Sequence, residues 1–214
     1  MSPSPYTLYY SPGAASLVVH WVLLELDLPH ALALVDTKAG AQKQPGYLAL
    51  NPNGVVPTLV IDGKPHYEAA ALIAHLAEVH PAHGLAPLPG DAARMDFLQW
   101  MFNLANMVQP LFRQWWYPHE PAGEAQTETV LAHVRPRIEA QWERIDAHLA
   151  ANGPYLLGDR LSVADFHLVM LMRWSRGMPK PATEWPNLAA LAARLKARPS
   201  FARLYEREGL TEWA

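Results

Sequence analysis

A proline set directly ahead of a four-residue apolar run is the tightest local constraint in this chain. Residues 51–62 read Asn-Pro-Asn-Gly-Val-Val-Pro-Thr-Leu-Val-Ile-Asp. Pro52, Asn53 and Gly54 form a turn signal. Pro57 holds Val56 extended and removes a backbone donor where Thr58 to Ile61 begins, so the run is a strand entered at the proline. The Val56 amide and carbonyl are then available to a partner outside the sheet, such as another peptide-like molecule. The same residues also make an ordinary loop entering a strand, and their spacing alone does not separate the two readings.

Around this strand the pattern alternates between sheet and helix. Residues 6–9 are aromatic and alternating, a short strand, and Ser11-Pro12-Gly13 breaks it before a helix that carries Leu17, His20, Trp21, Leu24 and Leu28. A second strand follows at 30–35, then a polar loop at 36–46. Asp62-Gly63-Lys64-Pro65 turns the strand of the first paragraph into a fourth, at His66 and Tyr67, and Glu68 opens a helix with Leu72, Ile73, Leu76 and Val79 on one face. This order, within about eighty residues, is that of a thioredoxin-like domain.

Residues 81–90 are rich in Pro, Gly, His and Ala and read as a linker. Beyond it every apolar period is helical. Asp91 caps a long helix that Pro110 should kink, and a second helix, from about 124 to 150, carries a stripe of apolar residues at spacings of three and four despite Pro136. Leu161-Ser162-Val163-Ala164-Asp165-Phe166 has the form of a capping box with a hydrophobic staple, opening a buried helix. Two final helices follow Pro186 and Pro199. The chain is therefore expected to be α/β plus all-α, with a thioredoxin-like domain at 1–80, a linker at 81–90 and an all-helical domain at 91–214.

Composition excludes several classes of function. Half of the 214 residues are hydrophobic, enough for a sizeable core. A net charge of −3 with no basic cluster argues against nucleic-acid binding. No run of 18 uncharged apolar residues suggests a membrane span, and Met-Ser-Pro-Ser-Pro at the start has no basic and apolar leader, so a cytoplasmic location is expected. With no cysteine, the protein has neither disulfides nor a thiol of its own for catalysis. His66, His75, His80 and His83 have no metal-ligand spacing on one face, and no metal is expected.

The motifs Asn-Pro-Asn-Gly-Val-Val-Pro, Tyr-Glu-Ala-Ala-Ala-Leu-Ile and Leu-Ser-Val-Ala-Asp-Phe, in that order, resemble those of the soluble glutathione transferases over essentially the whole chain. Leu-Tyr-Tyr-Ser-Pro-Gly-Ala-Ala-Ser-Leu near the start is most similar to the bacterial beta class, as is the ending from Trp-Pro-Asn-Leu through Arg-Pro-Ser-Phe to Glu-Gly-Leu. The resemblance implies a cis Val56–Pro57 bond, with the Val56 backbone pairing to the cysteinyl amide of glutathione, the co-substrate. It also implies that Glu68 meets the γ-glutamyl end, where helix-start amides suit a carboxylate. Residue 69, commonly serine, is Ala69, which keeps the backbone donor and loses a hydroxyl. The class cysteine is replaced by Ala15 and a class histidine by Gln109, so a mixed disulfide with glutathione is ruled out. Lys38 lies roughly where a glutathione-contacting lysine is found.

Conjugation requires a thiolate, and a thiol of pKa about 8.5 is only about 3% ionised at neutral pH. Tyr10, Ser11 and the amides of Ala14 and Ala15 are the groups that the first strand-to-helix turn supplies. Ser11 is the first choice as thiolate donor and Tyr10 the second, although each also reads as a turn or packing residue. His20, on an apolar helix face, and Asp165, in the capping box, read as structural. The electrophile is expected between the domains, against Phe112, Trp115, Trp116, Tyr117, Trp174 and Met178. The function implied is a glutathione S-transferase acting on an apolar electrophile, with a homodimer as the family expectation. A non-catalytic binding or regulatory module and a glutathione-dependent isomerase are the alternatives.

Overall fold

The computed structural model describes residues 5–213. The part of the leader reading that rests on residues 1–4 lies outside them. The chain forms two compact units. One runs through Ala86 and is completed by Lys196–Glu212, and the other spans Pro87–Leu195.

The first unit is built on β1 (Tyr6–Tyr10), α1 (Ser16–Glu25), β2 (His30–Leu34), α2 (Pro45–Leu48), β3 (Thr58–Ile61), β4 (Lys64–Tyr67) and α3 (Ala69–Val79). The strand order is β2-β1-β3-β4, with β1 parallel to β2 and antiparallel to β3, and β3 antiparallel to β4. Asp62 and Gly63, both at positive φ, make the two-residue turn between β3 and β4. Pro65 is tolerated because β4 is an exposed edge strand. Helix α2 lies within what reads in the sequence as the end of the polar loop and the turn after it. At four residues it is too short to leave an apolar period.

Helix α1 is buried along all of Ser16–Leu24 rather than along one stripe, as its run of Leu, Val and Trp allows. It packs on α3 and also on α9 (Pro199–Glu208), the last helix of the chain. Three polar groups tie the C-terminal segment to α1. Trp21 Nε1 donates to Ser200 Oγ at 2.9 Å, Arg198 Nε donates to Glu25 at 3.0 Å, and Arg203 donates to the Leu24 carbonyl at 2.7 Å. The sequence division at 91–214 put α9 with the other helices. In the structure its apolar face covers α1 instead.

The second unit contains α4 (Arg94–Asn103), α5 (Gln109–Trp116), α6 (Thr127–Asn152), α7 (Val163–Trp174) and α8 (Pro186–Lys196). The kink expected at Pro110 takes the form of a π-helical turn, Leu104–Val108, between α4 and α5. A wide turn there relieves the clash between the proline ring and the carbonyl four residues earlier. Asp91 stands before α4, accepting from the Ala93 amide at 2.9 Å and pairing with Arg160. Helix α7 is buried from Val163 to Arg173. Its capping box is formed: Asp165 Oδ2 accepts from the Ser162 amide at 2.9 Å, and Oδ1 accepts from the Leu156 amide at 2.8 Å. Among the described residues no helix is long and apolar enough to cross a membrane.

Candidate active site

Sheet register brings the predicted residues of the first unit to one end. Tyr9 faces Thr58 across β1 and β3, Thr58 faces Tyr67 across β3 and β4, and Tyr10 faces Leu34 across β1 and β2. Tyr10 and Ser11, Val56 and Pro57, Glu68, and the loop carrying Thr37 and Lys38 therefore all leave the sheet at the same edge. The strand directions make this so: β1, β2 and β4 run one way and end where the antiparallel β3 begins.

The Val56–Pro57 bond is cis. Val55 is locked by its carbonyl, which accepts from Tyr47 Oη and from Asn51 Nδ2, both at 2.8 Å. Tyr47 also meets Thr58 Oγ1 at 2.9 Å. Gly54 sits at φ 59, and a Cβ there would lie 3.0 Å from the Gln42 carbonyl oxygen, so the turn favours glycine on both counts. The Val56 side chain packs with Val35 and Tyr47, and against Ala14 of the β1–α1 turn. Its backbone amide and carbonyl have no partner among the described residues.

Ser11 is held at three points. Its amide donates to Ser16 Oγ at 3.2 Å, its carbonyl accepts from the same hydroxyl at 3.1 Å, and its own Oγ lies 3.1 Å from Thr37 Oγ1. The Ala14 amide donates to the Ser11 carbonyl at 3.1 Å, which corrects the expectation that it is available to a sulfur anion. The amide of Ala15, at the N-cap of α1, has no partner among the described residues. Tyr10 is partly exposed, and its ring lies 6.0 Å from that of His20.

Beneath the turn, Glu208 of α9 joins two buried groups. One of its oxygens accepts from His20 Nδ1 at 2.9 Å and the other from the Gly13 amide at 2.8 Å. Both side chains are fully buried. His20 is thus buried, as its place on an apolar face predicts. The sequence reading missed Glu208, yet a signal exists. Phe201, Leu204, Tyr205 and Glu208 fall at i, i+3, i+4 and i+7, which places one carboxylate on the buried stripe of α9. Tyr47, Thr37 and Ser16 were missed too, and nothing in their spacing marks them.

Glu68 is exposed and caps α3 with φ 75 and ψ 101, a strained backbone for any residue but glycine. Its side chain has no partner among the described residues. Ala69 is buried at the start of α3, leaving an amide at the helix N-terminus. Lys38 is exposed, with its backbone amide held by Asp36 Oδ1 at 3.1 Å.

The remaining predicted residues belong to the second unit. Gln109 is partly exposed at the start of α5, and its Oε1 meets His167 Nε2 at 2.8 Å. Burial pushes the His167 ring down to about 4, so it is neutral near pH 7. Phe112 is fully buried against Trp142 and Trp174, with ring centroids 5.8 and 6.0 Å away. It is a core residue of the helical unit, with no surface exposed, which corrects its assignment to an electrophile pocket. Met178 is buried as well. Trp115 and Trp174 are partly exposed, and Trp116 and Tyr117 are exposed at 45% and 44%, with Arg176 over the first ring and Arg113 over the second. No group of three or more metal-ligating side chains is found among the described residues.

Comparison with known proteins agrees with this architecture. Residues 14–79 match the family model described as glutathione S-transferase, N-terminal domain, and 105–208 match the glutathione S-transferase, C-terminal domain. Glutathione S-transferase GST-4.5 of Xanthomonas campestris is 33% identical over 190 residues, covering 87% of this chain and 89% of that protein. The maleylacetoacetate isomerase of Rhizobium meliloti is 30% identical over 176 residues, 80% of this chain and 81% of its own. A glutathione transferase homologue from Sulfitobacter, solved with bound glutathione, superposes with a TM-score of 0.86 at 28% identity, covering 96% of this chain and 99% of that one. The chain belongs to the glutathione S-transferase family.

Proposed function

We propose that the protein binds glutathione at the sheet end of its first unit and conjugates the thiolate to an apolar electrophile. The observation that carries this reading is the unpaired backbone of Val56, at the end of the sheet where Ser11 and Glu68 also emerge. An extended peptide can add to such a backbone as another strand would. Glu68 and the amides at the start of α3 suit the two charges of the γ-glutamyl end, and the Lys38 side chain is a cation on the same edge.

Ser11 is the thiolate donor in this reading. With Thr37 donating to Ser11 Oγ, the Ser11 proton is left for the sulfur, and the Ala15 amide adds a second donor at the start of α1. Lowering the thiol pKa by about two units takes roughly 2.7 kcal/mol, within the range of charge-assisted hydrogen bonds of this kind. Tyr10 is the second candidate. Trp115, Trp116, Tyr117 and Trp174 are the side chains offered to the electrophile. A homodimer is the expected assembly, with exposed Met95, Phe102 and Met107 as apolar surface for it to cover, and the cytoplasm is the expected location.

Titration calorimetry with glutathione, followed by conjugation assays on aryl halides, epoxides and isothiocyanates, tests the proposal. Binding together with turnover of at least one class is expected, and Ser11→Ala should slow turnover at least tenfold. Absence of binding would remove the reading altogether. A second reading has one observation in its favour, the relative named as a maleylacetoacetate isomerase. In that case the thiol adds to a double bond and is released again, and free glutathione stays constant through turnover.

A further inference from the structure

The four-stranded sheet has two outer strands, and the sequence guards only one of them. The strand β4 carries Lys64 and Pro65, both exposed, so its edge has a charge and a residue without a backbone donor. At the other end of the strand order, β2 reads His-Ala-Leu-Ala-Leu, with neither proline nor lysine nor carboxylate, and it ends on Leu34, which is 64% exposed. An edge of this kind is a template for another strand.

One bond fixes the direction of its backbone groups. The Val35 amide donates to the Tyr10 carbonyl at 2.8 Å, so Val35 turns its backbone toward β1. Direction alternates along a strand, and Ala31 and Ala33 therefore also face β1, whereas His30, Leu32 and Leu34 direct their amides and carbonyls outward. None of these outward groups has a partner among the described residues.

The two ends of β2 carry opposite charges. Arg207 of α9 donates to His30 Nε2 at 3.2 Å and meets no carboxylate among the described residues. Asp36, two residues beyond Leu34, accepts from the Lys38 and Ala39 amides at 3.1 and 3.0 Å and has no cation beside it among the described residues. Antiparallel pairing with a second copy, about a two-fold axis at Leu32, suits both features. Leu32 then faces its counterpart and His30 faces Leu34 at either end, each pair exchanging N–H···O=C bonds. The Arg207 end of one copy meets the Asp36 end of the other, twice over, and both exposed Leu34 side chains are covered. Parallel pairing would instead set like charges side by side.

We propose that the edge of β2 is a self-association surface, to which a second copy of this chain adds as an antiparallel strand. It is separate from the Met95, Phe102 and Met107 surface, which belongs to the other unit, and it does not depend on the transferase reading.

Two charge variants test it. Arg207→Glu leaves both ends of the strand acidic, and Asp36→Lys leaves both basic. Sedimentation equilibrium is run on a Phe102→Glu background, which removes the other apolar surface. The background protein is expected to dimerise as its concentration rises, each charge variant to weaken that dimer about tenfold, and an equimolar mixture of the two variants to restore it. Association that neither charge variant weakens belongs to another surface and overturns the proposal. A background protein that stays monomeric at millimolar concentration overturns it as well, and so does a mixture that associates no more tightly than its components. Hydrogen exchange on the wild-type protein needs no variant. The outward amides of Leu32 and Leu34 should exchange more slowly as protein concentration rises, and fast exchange at every concentration overturns the proposal.

Discussion

Two glutamates take opposite parts, one on a strained backbone at the end of the sheet and the other buried where it joins two donors. Glu68 holds φ 75 and ψ 101, a conformation that costs on the order of 1–3 kcal/mol outside glycine. Replacing it with glycine removes the strain and the carboxylate together. Glu68→Gly should therefore unfold at an equal or higher temperature while binding glutathione at least tenfold more weakly, as thermal denaturation and calorimetry would measure. A fall in both would assign Glu68 to the fold instead. Glu208 is the opposite case, since it serves two buried donors, His20 Nδ1 and the Gly13 amide. Glu208→Ala removes the carboxylate that accepts from both and should destabilise the protein by about 3 kcal/mol in chemical denaturation. Because Gly13 belongs to the turn that carries Ser11, the glutathione dissociation constant should rise as well.

At the scale of elements, α7 carries two buried groups whose titrations oppose each other. Burial holds the Asp165 carboxyl at about 6 against an ordinary 3.8, overcoming the donors that surround it. The folded state binds more protons than the unfolded one between those values, so this group's contribution falls as pH rises from about 4 to 6. Burial holds His167 at about 4 against 6.5, the unfolded state binds more protons in that window, and its contribution is complete above about 6.5 and lost as pH falls toward 4. The two slopes largely cancel in the wild-type chain. Removing the histidine exposes the other slope: His167→Leu should lose on the order of 3 kcal/mol of stability between pH 4 and pH 6, measured by urea denaturation at each pH. A flat profile in that variant would contradict the Asp165 assignment. The elements themselves were largely legible, because Asp62-Gly63, the Ser162–Asp165 box and the helical stripes are local signals. The wide turn before Pro110 was legible as a kink but not in kind, since a proline announces a lost donor and not how the preceding turn rearranges. The inward face of α5 was misread at Phe112, because an aromatic-rich helix does not say which of its rings meets another helix.

At the scale of the whole molecule, the C-terminal helix completes the unit that begins the chain. Glu25, Asp27 and His30 on one side meet Arg198, Arg203 and Arg207 on the other, across about 175 residues of sequence. A sequence reading divides such a chain at its linker and cannot see the return, although the carboxylate on the apolar stripe of α9 hints at a buried partner. Deleting 197–214 should therefore abolish glutathione binding and expose α1, since it also removes the Glu208 carboxylate that holds the Gly13 amide. Retention of binding after the deletion would refute the bracing role of α9. The sheet end itself was legible through Pro57 and Glu68, whereas the hydroxyl pair of Ser11 and Thr37 depends on the pairing of two strands and was not. That pair is central to the account, and the pKa of enzyme-bound glutathione, titrated by thiolate absorbance, tests it most directly. The wild-type protein should lower it about two units from the free value of about 8.5, and Ser11→Ala should restore at least half of that shift. A bound thiol that titrates as it does in free solution, or an Ser11→Ala protein with an unchanged pKa, would contradict it.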